Sequence, residues 1–198
     1  MSLQRIIRHF VLIASISILS GCGVNSIPTL DEKVKSSWAQ VENQYQRRAD
    51  LIPNLVNTVK GYAKQEKETL IAVVEARAKV GSMQIDKDLI NDPAALQKFE
   101  QAQGQLSGAL SRLMVVAERY PDLKSNQNFL ALQSQLEGTE NRISVARRDY
   151  IKMVEMFNTE IRTLPGKLWY VAMYSDLKAR EAYTATAADA EQAPQVEF

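Results

Sequence analysis

VKSSWAQVENQYQRRADLIPNLVNTVKGY, residues 34–62, decides the fold. Val34, Trp38, Val41, Tyr45, Ile52, Leu55, Val59 and Tyr62 fall at alternating steps of four and three, with one gap at Arg48. That spacing winds a single apolar stripe along one side of an α-helix, the seam by which it packs into a bundle. Pro53 lies inside the stretch. Proline lacks a backbone donor and crowds the preceding turn, so a kink or break is predicted near residues 49–53. Upstream, Thr29-Leu30-Asp31-Glu32 has the capping-box pattern and places the helix start there. Downstream, Gly61 marks a second bend. Residues 64–80 continue as helix until Gly81 and Ser82.

The same period recurs further along. After a polar connection at 83–92, Asp92-Pro93 reads as cap and first residue of a helix. Its seam is Leu96, Phe99, Gln103, Leu106, Leu110, Leu113, Ala117 and Tyr120, and Pro121 stops it. Ser125 is expected to cap the next helix, with Phe129, Leu132, Leu136, Thr139, Ile143, Ala146, Tyr150, Met153 and Phe157 as its seam, running to about residue 163. Pro165-Gly166 breaks the chain before an aromatic run, LWYVAMY, at 168–174. Residues 184–198 read as an irregular tail. The fold class is therefore all-α, a bundle of long antiparallel helices over residues 29–183. A composition rich in Ala, Leu, Glu, Gln, Lys and Arg, with 6 Pro and 8 Gly among 198 residues, agrees with it.

Residues 1–22 read as an address. Arg5, Arg8 and His9 make a basic start, and Phe10 opens an apolar run to Ser20 that is shorter than the ~20 residues a bilayer span requires. Leu19-Ser20-Gly21-Cys22 follows, similar to a bacterial lipobox. It predicts a signal peptide over 1–21, then acylation of Cys22 with palmitate-type chains. Several acyl chains anchor stably where one does not. The alternative is an uncleaved signal anchor with an incidental cysteine. Residues 23–28 read as a short tether, and everything after Cys22 is placed on the periplasmic side. Gly23 in place of Asp leans the sorting towards the outer membrane.

Removing 1–21 takes Arg5 and Arg8 from the 24 basic residues, leaving 22 against 23 acidic ones. A near-neutral chain offers no general attraction to nucleic acid. The single cysteine excludes an internal disulfide. The single histidine, His9, is lost with the leader, which removes histidine-activated nucleophiles and the usual zinc and di-iron sites. No catalytic residues, metal or cofactor are expected, and the chain reads as no enzyme.

Two segments are richer than a seam requires: RRADLIPNLV at 47–56 with VKGYA at 59–63, and EGTENRI at 137–143 with ARRDY at 146–150. With YPDLKSN at 120–126 and the PQVEF ending at 194–198, they make the chain resemble the LemA family over nearly all of its mature length. Gln65 and Ile151 stand where that family often has His and Asn. The resemblance implies a bundle of long antiparallel helices with N-terminal membrane attachment and no established activity. Family genes often lie beside ones for membrane proteins with a TPM domain, which makes such a protein a partner expectation.

Arg48 fills a seam position, and a buried arginine needs a partner. Arg47 and Asp50 flank it. Glu137, Glu140 and Asp149 could answer from the second segment, with Arg142, Arg147 and Arg148 beside them. An interhelical polar network is expected; the alternative is solvated charge. Trp169, Tyr170 and Tyr174 form a possible contact patch for a bilayer or a partner, though capping the open bundle end explains them better. The functional expectation is a membrane-anchored, non-catalytic scaffold or docking module with an envelope protein partner. The alternative is a sensor of a small ligand or cation built on residues 137–149.

Overall fold

The computed structural model describes residues 23–63, 65–83 and 89–183. Among them there is no strand. Helix α1 spans Ser26–Tyr62, α2 Lys67–Gly81, α3 Pro93–Ala117, α4 Pro121–Lys124, α5 Gln127–Glu160 and α6 Gly166–Met173. A single 3-10 turn, Leu89–Asn91, precedes α3. The all-α bundle of long antiparallel helices stands. The leader, Cys22 and the tail at 184–198 lie outside the described residues.

Helix α1 starts three residues ahead of the expected capping box. The chain is already coiled there: Ser26 N donates to Gly23 O at 3.0 Å and Thr29 N to Asn25 O at 3.1 Å. Ile27, fully buried, lengthens the seam by one turn. Thr29 is left exposed, and Glu32 accepts from Lys35 at 3.0 Å instead of returning to a cap. Half of the expected six-residue tether at 23–28 is thus helix, from Ser26 on.

Pro53 does not interrupt α1. A proline at this position leaves the carbonyl four residues back without its helical donor. That carbonyl, Ala49 O, accepts from Arg77 Nε of α2 at 3.0 Å. A side chain from the neighbouring helix thus repairs the ladder. The chain turns instead at Ala63, whose N–H closes on Val59 O at 2.9 Å, and α2 begins at Lys67.

Asp92 caps α3 as its sequence predicts, accepting from Ala94 N at 2.9 Å and Ala95 N at 3.1 Å. The cap of α5 is Asn126, which accepts from Phe129 N at 3.0 Å, rather than Ser125. Pro121 begins the single-turn α4 after α3 has already ended at Ala117. Along α5 the seam keeps its period but buries Val154, not Met153. The connection before α3 is not simply polar, since Leu89 and Ile90 are both buried.

Helices α1 and α5 run antiparallel for nearly their whole length. Ser26 Oγ donates to Glu160 at one end, and Asn126 Nδ2 donates to Tyr62 Oη at 2.9 Å at the other. At 1.5 Å per residue, the 34 residues of α5 span about 51 Å. Helices α2 and α3 pair along the distal part, held by Lys79–Gln105 at 2.9 Å and Tyr120–Glu66 at 3.2 Å. At the end where residue 23 emerges, the C-terminal segment 174–183 takes the place of a helix. Two cores result. The distal core is aliphatic, with Ile52, Leu55, Val59, Val73, Leu106, Leu113, Leu123 and Phe129. The proximal core is aromatic, built on Trp38, Tyr45, Phe99, Tyr150, Phe157 and Tyr183.

Candidate functional site

A polar layer separates the two cores. The Arg48 guanidinium, 1% exposed, donates from Nη1 to Glu140 Oε1 at 2.6 Å and to Ser107 Oγ at 2.8 Å. Its Nη2 bonds to Gln103 Oε1. The charge also stacks over the Tyr45 ring at 5.1 Å, an attraction between cation and ring quadrupole. Thr139, fully buried on α5, satisfies its hydroxyl on Gln135 O at 2.7 Å. Three helices, α1, α3 and α5, thus meet on one side chain. Glu140 remains 45% exposed, so water shares the cost of burying the pair.

The other charged residues singled out in the sequence do not join this layer. Arg47, Arg142, Arg148 and Asp149 are exposed. Asp50 accepts from Gln46 at 2.8 Å and Glu137 from Gln133 at 2.9 Å, both within their own helices. Arg147 lies over the Tyr183 ring at 4.2 Å. Periodicity located Arg48 because it occupies a seam position; the others fall on outer faces.

A second buried ion pair escaped the sequence reading. Arg180 comes from the non-helical C-terminal segment and donates to Asp31 Oδ1 from Nη2 at 2.5 Å and from Nε at 3.2 Å. Lys35 Nζ takes the other oxygen, Oδ2, at 2.8 Å. Arg180 also bonds to Asn91 and lies over Phe157 at 5.6 Å. Burial alone would raise the Asp31 pKa, but hydrogen bonds and charge from Lys35 and Arg180 outweigh it and hold it below the ordinary carboxylate value. In the sequence Asp31 falls within a capping-box pattern, and nothing periodic points to Arg180.

The segment carrying Arg180 is strapped along α5. Tyr170 Oη donates to Leu177 O at 2.7 Å. Asn158 exchanges two bonds with the backbone of Arg180, at 2.8 and 2.9 Å, and Tyr150 Oη donates to Glu181 O at 2.7 Å. Tyr183 ends the strap inside the aromatic core, 5.9 Å from Trp38 and 5.7 Å from Tyr150 between ring centres. Burial pushes the pKa values of Tyr45, Tyr150 and Tyr183 up.

The expected contact patch is arranged differently from its sequence reading. Trp169, Tyr170 and Tyr174 are half-buried and pack against the proximal core. The exposed apolar side chains of that region are Leu164, Leu168, Val171 and Met173. Gly166 sits where a side-chain carbon would come within 2.3 Å of Glu160 O, so α6 docks by close backbone approach.

Among the described residues no group of acidic, His or Cys side chains is arranged to hold a metal ion, and no helix is long and apolar enough to cross a membrane. A cleft of about 280 Å³ between α3 and α5 is lined by Ser107, Ser111, Gln133, Glu137 and Glu140.

These features define an elongated helical-bundle module with a buried arginine layer. The chain belongs to the LemA family, whose model matches residues 37–198. It is 27% identical over 175 residues to magnetosome protein MamQ 2 of Paramagnetospirillum magneticum, covering 80% of this chain and 64% of that one. It is 26% identical over 175 residues to magnetosome protein MamQ of Magnetospirillum gryphiswaldense, with the same coverage. Against protein LemA of Metamycoplasma hominis it is 23% identical over 139 residues, or 70% of this chain and 59% of that one. The chain thus spans less than two thirds of the length of these relatives.

Proposed function

We propose that this protein is a membrane-anchored, non-catalytic scaffold of the bacterial cell envelope, held by acyl chains on Cys22 and presenting its far end to a protein partner. Membership of the LemA family supports association with a membrane. The observation that carries the rest is the arrangement of the ends. Gly23 lies against Trp169 at one extremity, and α1 and α5 lead away from it to the Tyr62–Asn126 contact. A rod fixed at one end separates its free tip from the anchoring surface by about the length of α5. The Leu-Ser-Gly-Cys motif at 19–22 supports acylation, and Gly23 after it supports the outer membrane.

Photo-crosslinkers placed at Gly61 and Asp122, both exposed near the tip, test the docking role in intact cells. Adducts with one recurring envelope protein are expected, a TPM-domain membrane protein being the candidate that the family's gene context suggests. Recovery of no adduct from either site contradicts docking at the tip.

A second reading draws on the cleft beside Glu137 and Glu140: a small ligand or cation bound over the arginine layer. Calcium titration of the purified protein, followed by calorimetry, tests it. Binding that Glu137→Gln removes supports that reading, and no heat at millimolar calcium counts against a calcium site.

A further inference from the structure

We infer that the outer face of α6 is a foot that rests on the lipid surface, an inference that rests on the anchoring reading above. Four of the eleven exposed large apolar side chains among the described residues fall within ten residues here, at Leu164, Leu168, Val171 and Met173. Leu168 and Val171, three residues apart on α6, share one side of the helix, and Leu164 is exposed in the turn just before it. Leu168 is 64% and Val171 66% exposed. The opposite side is fixed: Trp169 and Tyr170 pack on the proximal core, and Tyr170 is bonded to Leu177 O. The apolar side chains therefore face outward, with no described residue over them.

The position of the stripe names its occupant. The space a side-chain carbon would take on Gly23 is 3.7 Å from Trp169 Nε1. Cys22 is bonded directly to Gly23 in the chain. Because α1 begins at Ser26, almost no slack separates the acylated residue from the bundle. Acyl chains in a bilayer then bring α6 to the headgroup layer. Arg162 and Lys167, both exposed beside the stripe, suit lipid phosphates while their stems lie along apolar surface. A short apolar face flanked by cations is the pattern of an interfacial helix.

The full-length acylated protein in phosphatidylethanolamine–phosphatidylglycerol vesicles provides the test. With Cys22 acylated, Leu168→Cys and Val171→Cys each supply the only free thiol, and a nitroxide there reports its surroundings by collision with oxygen or with a water-soluble nickel complex. Val115→Cys, 68% exposed on α3, is the aqueous control. The expected result is several-fold lower nickel accessibility and higher oxygen accessibility at 168 and 171 than at 115. Labels at 168 and 171 as open to nickel as at 115, on protein that floats with the vesicles, overturn the foot and leave the anchor standing. Protein that does not float, or that takes label at Cys22 itself, overturns the anchor and the foot with it.

Discussion

The two halves of the rod solve the same packing problem with different material. The distal half is closed by four helices whose seams interlock through aliphatic and alanine side chains, Ala102, Ala109 and Ala117 among them. The proximal half has α1 and α5 only in part covered by α3, and an irregular strap fills the remaining side with Arg180 and Tyr183. Each half is bounded by one buried arginine. Arg48 issues from a helix and meets a carboxylate that water can reach. Arg180 issues from a strap and meets Asp31, with 7% and 6% of their side chains exposed. The difference teaches that a helical seam can absorb a charge cheaply at its rim, whereas a strap is held on by a charge pair withdrawn from solvent.

The strongest way to break this comparison is Asp31→Ala. It strands Arg180 with Asn91 as its remaining polar side-chain partner, and removing one member of a buried pair costs about 3–5 kcal/mol. We expect a loss near 3 kcal/mol by urea unfolding, with hydrogen exchange rising first in residues 174–183. An unchanged strap would show that Arg180 is not what holds it.

Next in size is an asymmetry at the polar layer. Glu140→Ala leaves a buried guanidinium with only Gln103 and Ser107, and about 2 kcal/mol should be lost. Arg48→Met leaves a carboxylate that rehydrates, so the loss should be about 1 kcal/mol, chiefly from unpaired Gln103 and Ser107. Denaturant midpoints for the two variants decide it. The reverse order contradicts the layer as described.

The tyrosines sharpen the contrast through pH. The unfolded phenol ionises near pH 10. Burial raises Tyr45, Tyr150 and Tyr183 above that in the folded chain. Their stabilising contribution is full below about pH 10 and falls as pH rises past it. Asp31 has the opposite sign. Its lowered pKa contributes stability above about pH 3.9, the unfolded value, and that contribution is lost as pH falls through the folded value. The strap is expected to exchange early at both extremes while the distal helices stay protected. The smallest effect belongs to the outward charges: Arg47→Ala and Arg148→Ala should each stay within about 0.5 kcal/mol of the parent.

How much of this was legible follows from periodicity. Both long helices, the Asp92 cap, and Arg48 as a buried seam residue with Glu140 among its partners could be read from steps of three and four. Pro53 misled because the donor that compensates for it, Arg77, comes from another helix. Thr29–Glu32 misled because Ile27 extended the seam beyond the cap. The strap is opaque for a different reason: residues 174–183 bind through backbone groups, Arg180 and Tyr183, and no period records such contacts. The aromatic run at 168–174 is plain in the sequence, but a compact apolar run does not say which of its members faces in.

If the proximal end is the membrane end, the intact mass of the protein recovered from the membrane fraction, with sequencing of its first peptide, shows it most directly. The expected result is a chain that begins at Cys22 and carries acyl groups there. Unmodified protein in the soluble fraction, with residues 1–21 still in place, would contradict it.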